Sequence, residues 1–179
     1  SINRSYAGEV SSIWKARPMK RGSILFLRTV VVLIGIGVLV AMIREPQLEG
    51  RNVGADLATI YFRDPFLAYA YLGSLPFFFG LYQTFRLLGF MGAMGEGRRF
   101  SPEASRAARL IKACALITVA FIAGAEAYII LGVSDDRAGA VMMGIAASFV
   151  GLVIATAAAV LERVLQGGVE LQAEHDLTV

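Results

Sequence analysis

The chain has little of what catalytic and metal-binding sites are usually built from. It holds one cysteine and one histidine in 179 residues. A lone Cys114 excludes an internal disulfide and a multi-cysteine metal site; a lone His175 excludes a histidine cluster for zinc or haem. The glycine-rich "GFMGAMGEG" lacks the Lys-Ser/Thr ending of a nucleotide-cradling loop. No serine stands in a nucleophile-elbow pattern. These absences predict a protein that is not an enzyme and that carries no cofactor or metal.

Charge is scarce as well: 17% of residues are Asp, Glu, Lys or Arg, against 56% hydrophobic, and the mean hydropathy is +0.63. In a soluble domain the apolar residues would be interleaved with charge, but here they come in blocks. Ile24 to Ile43 is interrupted only by Arg28, and Ala113 to Val133 only by Glu126; Pro65 to Phe85 and Ala138 to Leu161 are uncharged. Each block is about 20 residues or longer, enough for a helix to cross a hydrocarbon core of roughly 30 Å. The short alternating segments of a membrane barrel are not the pattern. The expected fold is therefore an all-α membrane protein, a four-transmembrane-helix bundle with spans at about 24–43, 65–90, 110–133 and 138–161. A basic interfacial arm, 1–23, precedes it and an acidic tail, 162–179, follows. The first block is too long, and too far into the chain, to read as a cleavable signal.

The remaining charge orients these spans. Arg4, Lys15, Arg17, Lys20 and Arg21 precede the first span, and Arg98, Arg99, Arg106, Arg109 and Lys112 connect the second to the third. In the other two connections Arg44, Arg51, Arg63 and Arg137 are balanced by acidic residues. Cytoplasmic loops carry the excess of Lys and Arg, so both termini are expected in the cytoplasm of a bacterial inner membrane. Arg28 and Arg86 can snorkel to the same side. The pI of about 9.2 reflects this asymmetry, and direct nucleic-acid binding is not expected. Trp14, among cations, suits an anchor at the headgroups.

Local signals place the helix ends. Asp64 and Pro65 form a start for the second span, in which Pro76 falls mid-helix. Ser101 as N-cap, Pro102 at the first helical position and Glu103 against the helix dipole start the third well before its apolar block. Arg106, Arg109 and Lys112 then form one basic stripe, for which anionic lipid headgroups are the default partner. Glu170, Glu174 and Asp176, beyond Gly167-Gly168, are acidic candidates to dock onto it. Span four is rich in small residues, with Gly144 and Ser148 on one row and Gly151 and Ala155 on another. Such rows let helices approach closely, and Ala120, Gly124, Ala123 and Ala127 of span three offer matching surfaces. A second small face could serve another copy or a larger membrane complex.

Glu126 is costly inside the bilayer, so it should face the interior, be protonated or have a partner, with Arg44 or Arg63 in reach. A proton or cation site is the sharp reading. A carboxyl that holds helices together is the plain and favoured one, because few polar residues besides Tyr69, Tyr71 and Tyr128 accompany it.

Two stretches resemble a known family. "GEGRRFSPEASRAARLIK", through Gly97, Arg99, Phe100, Ser101, Glu103, Arg106 and Arg109, is similar to the middle loop of a bacterial four-helix membrane family labelled only as a domain of unknown function. "ELQAEHDLTV", through Glu170, Leu171, Glu174, Asp176, Leu177, Thr178 and Val179, resembles its acidic ending in Asp-Leu-Thr-Val or Asp-Leu-Thr-Ile. His175 stands where that family more often has Glu or Gln. The resemblance implies an inner-membrane protein, often encoded beside a small Cro-type helix-turn-helix regulator, and implies no activity. A tether or sensor for such a regulator, contacting it through Glu170, Glu174, Asp176, Leu177 and Val179, is the leading expectation. An accessory subunit and a small carrier using Glu126 are the alternatives.

Overall fold

A computed structural model describes residues 21–48, 54, 56, 58–59, 62, 65–93, 101–132 and 137–176. They form four long helices: α1 (Arg21–Leu48), α2 (Pro65–Ala93), α3 (Pro102–Gly132) and α4 (Arg137–Asp176). Of the interfacial arm expected at 1–23, residues 21–23 belong to α1, while residues 1–20, and Leu177 and Val179, lie outside the described residues.

The start of α3 follows from its cap. The Ser101 hydroxyl accepts from the Glu103 N–H at 3.2 Å and donates to the Glu103 carboxylate, while the Ser101 carbonyl accepts from Ala104 N at 3.0 Å. These bonds occupy groups that a helix start would otherwise leave unpaired. α2 begins at Pro65, where the missing N–H costs nothing, and continues through Pro76.

Neighbouring helices run antiparallel. On the α1–α2 seam Gly35 meets Leu81, and the Tyr71 phenol donates to the Met42 carbonyl at 3.0 Å. On the α2–α3 seam Gly80 meets Cys114, Gly73 meets Phe121 and Tyr69 lies over Gly124. On the α3–α4 seam Gly151 meets Val119 and Gly144 meets Glu126. Cys114 is buried and free, and it packs at the α2–α3 seam.

The four helices expected from the sequence are present, and their packing follows chain order. Each helix packs mainly against its neighbours in the chain, most extensively in α3–α4 and least in α1–α2. The reason is where each inner helix places its two contact faces. Phe85 faces α1 and Leu87 joins the cluster with α3; two positions on a helix differ by about 200°. Likewise Phe121 and Gly124 face α2, whereas Val119 and Glu126 face α4. The helices are therefore laid side by side in series.

Most apolar side chains point outward: Leu131 is 85% exposed, Met143 76% and Phe149 68%, surface that only lipid or another protein can cover. One compact apolar cluster forms at the basic end, where Leu87, Ala104, Ala107, Ala108, Ile111, Ala158 and Leu165 bring α2, α3 and α4 together. Three helices contain segments long and apolar enough to cross a membrane: Gly22–Arg44, Pro102–Gly132 and Ala138–Leu171. α2 is not among them, since its tyrosines, glycines, Pro76 and Gln83 dilute its aliphatic content.

Candidate functional site

The α3–α4 seam holds the polar groups with the most distinctive surroundings. Near the end away from the basic loops, the Glu126 carboxyl lies over Gly144. A Cβ built there would stand 2.7 Å from the carboxyl carbon, so only glycine leaves it room. Its Oε1 is buried with no hydrogen-bond partner among the described residues. The expected reach of Arg44 toward Glu126 is not made: Arg44 is exposed on α1, which packs against α2 and not along this seam. Arg63 lies outside the described residues.

Further along, Gly151 receives Val119, and Ala155 and Ala158 are buried. Gly144, Ser148, Gly151 and Ala155 thus share the side of α4 turned to α3, alternating between the two small rows seen in the sequence. The expected matching surfaces on α3 do not serve: Ala120, Ala123 and Ala127 are exposed, and Gly124 faces Tyr69 of α2. Larger side chains, Val119 and Glu126, fill the small positions of α4 instead. Knobs entering holes recover the dispersion contact that small residues on both sides would forfeit.

At the basic end the seam closes on Glu162. Arg109 Nε donates to its Oε1 at 2.7 Å, Lys112 Nζ to its Oε2 at 2.6 Å, and Gln166 Nε2 to Oε1 at 3.4 Å. The carboxylate side chain is only 9% exposed. It follows the uncharged stretch Ala138–Leu161, which rises about 36 Å and can therefore cross a hydrocarbon core of roughly 30 Å without drawing Glu162 into it. The hydrogen bond from Lys112 foremost, and then that from Arg109, holds its carboxyl below the usual carboxylate range.

Two cations of the basic stripe, Arg109 and Lys112, are engaged by Glu162 and not by Glu170, and Arg106 is exposed; the side chains of Glu174 and Asp176 lie outside what the structure describes. Nor does Gly167-Gly168 detach a tail: α4 runs unbroken through both glycines to Asp176. Glu170 and Leu171 are exposed on that extension, and Glu174 and Asp176 belong to its last turns. Glu162 was missed because it stands beside the expected end of a span. Its position could have been found by counting outward from the 133–136 connection. In an antiparallel hairpin, residues equally far from the turn face each other, which pairs Glu126 with Gly144 and Arg109 with Glu162.

The tyrosines that accompany Glu126 in the sequence serve other contacts. Tyr69 donates to the Phe121 carbonyl at 3.0 Å, and Tyr128 stacks on Phe66 with ring centres 5.5 Å apart. They line a cleft of about 410 Å³ between α2 and α3, together with Gly124 and Ala125. Glu126 points to the other side of α3. Among the described residues no group of three or more His, Cys, Asp and Glu side chains could hold a metal ion.

Comparison with known proteins agrees with this framework. Residues 53–179, from the loop before α2 to the final residue, match the family described as Protein of unknown function (DUF2975). The chain belongs to the DUF2975 family. It is 33% identical over 163 residues to the uncharacterized membrane protein YoaS of Bacillus subtilis (strain 168), an alignment covering 90% of this chain and 100% of YoaS. No solved structure matches. The chain is thus a multi-helix membrane protein of the DUF2975 family, and the family match takes in the Ser101 cap, the Glu162 cluster and the α4 extension.

Proposed function

We propose that this DUF2975 protein is a non-enzymatic inner-membrane protein that acts through protein contacts, as a tether or sensor for a cytoplasmic DNA-binding regulator. The observation that carries the reading is the continuity of α4. A single helix of 40 residues runs from the bilayer into an acidic extension, and Glu162 clamps it to α3 through Arg109 and Lys112. A change in how the apolar parts of α3 and α4 pack would thereby reach the extension without passing through a flexible joint. Glu170, Glu174 and Asp176, with Leu177 and Val179, offer the negative charge and apolar ending that a basic DNA-binding surface could engage.

The reading includes four spans with both termini cytoplasmic. α2 supports this because it lies antiparallel between α1 and α3, each of which has a span-length apolar segment. The positive-inside rule supplies the orientation.

A pull-down in gentle detergent from an N-terminal tag, with and without residues 170–179, tests the proposal. A soluble DNA-binding protein recovered with the full chain and lost on truncation is the expected result. Membrane subunits recovered with both forms would replace it with the accessory-subunit reading, to which the exposed apolar faces are suited. A second reading, a small proton-linked carrier, is favoured only by the unpartnered Glu126 Oε1; flux in vesicles abolished by Glu126→Gln would establish it.

A further inference from the structure

The two halves of the molecule treat the cations at the basic end differently. In the α3–α4 half, Arg109 and Lys112 share the Glu162 carboxylate. In the α1–α2 half, Arg28 and Arg86 have no such partner within their helices: α2 contains no Asp or Glu, and the one acidic residue of α1 is Glu45, near the opposite end.

Both arginines are nevertheless held in place. The Arg28 guanidinium carbon stands 4.7 Å from the centre of the Phe85 ring, and its terminal nitrogen occupies the space a Cβ would fill at Gly89. Its Nε is sealed at the seam without a hydrogen-bond partner among the described residues, while the residue as a whole stays half-buried. Arg86, next in sequence to Phe85 and therefore at nearly the same height, lies over Phe90 at 5.5 Å and Tyr82 at 5.9 Å. Aromatic faces offset part of the cost of a cation here, but they cannot take up the guanidinium N–H donors in the ring plane. Arg28 also lies about 9 Å inward from Gly22, where the apolar segment of α1 begins. A charge at that depth is accommodated by reaching outward to the headgroups or by pairing with an anion.

We propose that the basic end of the α1–α2 seam binds the phosphate of an anionic lipid, gripped by Arg28 from the seam and by Arg86 from the surface of α2. Lipid phosphates are the anions nearest to this end of the two helices, and a planar guanidinium fork presents paired N–H donors to a phosphate oxyanion. The site needs no particular orientation in the membrane, so it stands apart from the tether reading.

The full chain, reconstituted in nanodiscs of equal phosphatidylglycerol and phosphatidylcholine and released into native mass spectrometry, tests it. The parent protein should retain phosphatidylglycerol in preference to phosphatidylcholine. Arg86→Gln should reduce that retention several-fold, and Arg28→Gln with Arg86→Gln by about tenfold or more. Arg28→Lys, which keeps the charge but loses the fork, should fall between. Circular dichroism checks each fold; if Arg28→Gln does not fold, Arg86→Gln alone decides. Equal retention of the two lipids by the parent would overturn the proposal, as would undiminished retention in the variants. Displacement of the lipid by millimolar inorganic phosphate would overturn it in favour of a soluble-anion site.

Discussion

Two carboxylates on one seam illustrate how far a residue's role depends on what faces it. Glu162 meets two cations and becomes a clamp. Glu126 meets a glycine and keeps an oxygen without a partner among the described residues. Glu162→Gln should lower the thermal midpoint in detergent by a few degrees, and adding Arg109→Gln should cost less than its effect in the parent, because the two act as one unit. The acid dependence follows from the lowered pKa. The clamp's contribution is fully present above the ordinary glutamate value of about 4.3 and is lost as pH falls through the lower value held in the fold. The parent should therefore show an extra loss of stability at strongly acidic pH that Glu162→Gln lacks, measurable in thermal melts across pH. At the other end of the seam, Gly144→Ala forces the Glu126 side chain to move and should cost about 1–3 kcal/mol. Glu126→Ala in the same chain should recover much of that loss. If the double variant is as unstable as Gly144→Ala, the close contact is not the cause.

At the scale of helices, glycines and alanines on one element receive larger side chains of the next. Gly73 takes Phe121 and Gly80 approaches Cys114, while in the reverse sense Gly124 makes room for Tyr69. A Cβ at Gly80 would lie 3.2 Å from that of Cys114, close to the usual disulfide range of about 3.5–4.5 Å. Gly80→Cys should accordingly form an intramolecular disulfide with Cys114 under mild oxidation, seen as protection of both thiols from alkylation in an intact monomer. Two freely alkylated thiols would show that α2 and α3 do not pack in this register. The Ser101 cap and the start of α2 at Pro65 were legible from local chemistry, because a cap is decided within one turn. The unbroken course of α4 through Gly167-Gly168 was not. Glycine lowers helix propensity, but propensity yields to packing: Leu165 and Gly168 are buried, and Gln166 and Gly167 between them are half-buried.

For the whole molecule, laying the helices in series leaves both broad faces apolar and places α1 and α4 at opposite margins. Paired cysteines at Gly35 and Leu81, in a Cys114→Ala background, should cross-link within one chain. Cysteines at Ile36 on α1 and Val153 on α4 should not. Efficient cross-linking of the second pair within a monomer would mean that the helices close into a bundle.

The sequence by itself determined the membrane class, the four helices and the starts of α2 and α3, since block hydropathy and local start signals act over one element or less. It also marked Glu126, Arg109 and Lys112 as residues whose charge needs an answer. Only the tertiary structure decided which answer each receives: Glu162 for the two cations, Gly144 for the carboxyl, Phe85 and Gly89 for Arg28. Those pairings depend on register and on the angle between a helix's two contact faces. A shift of one residue turns a side chain by about 100°, and so onto a different neighbour.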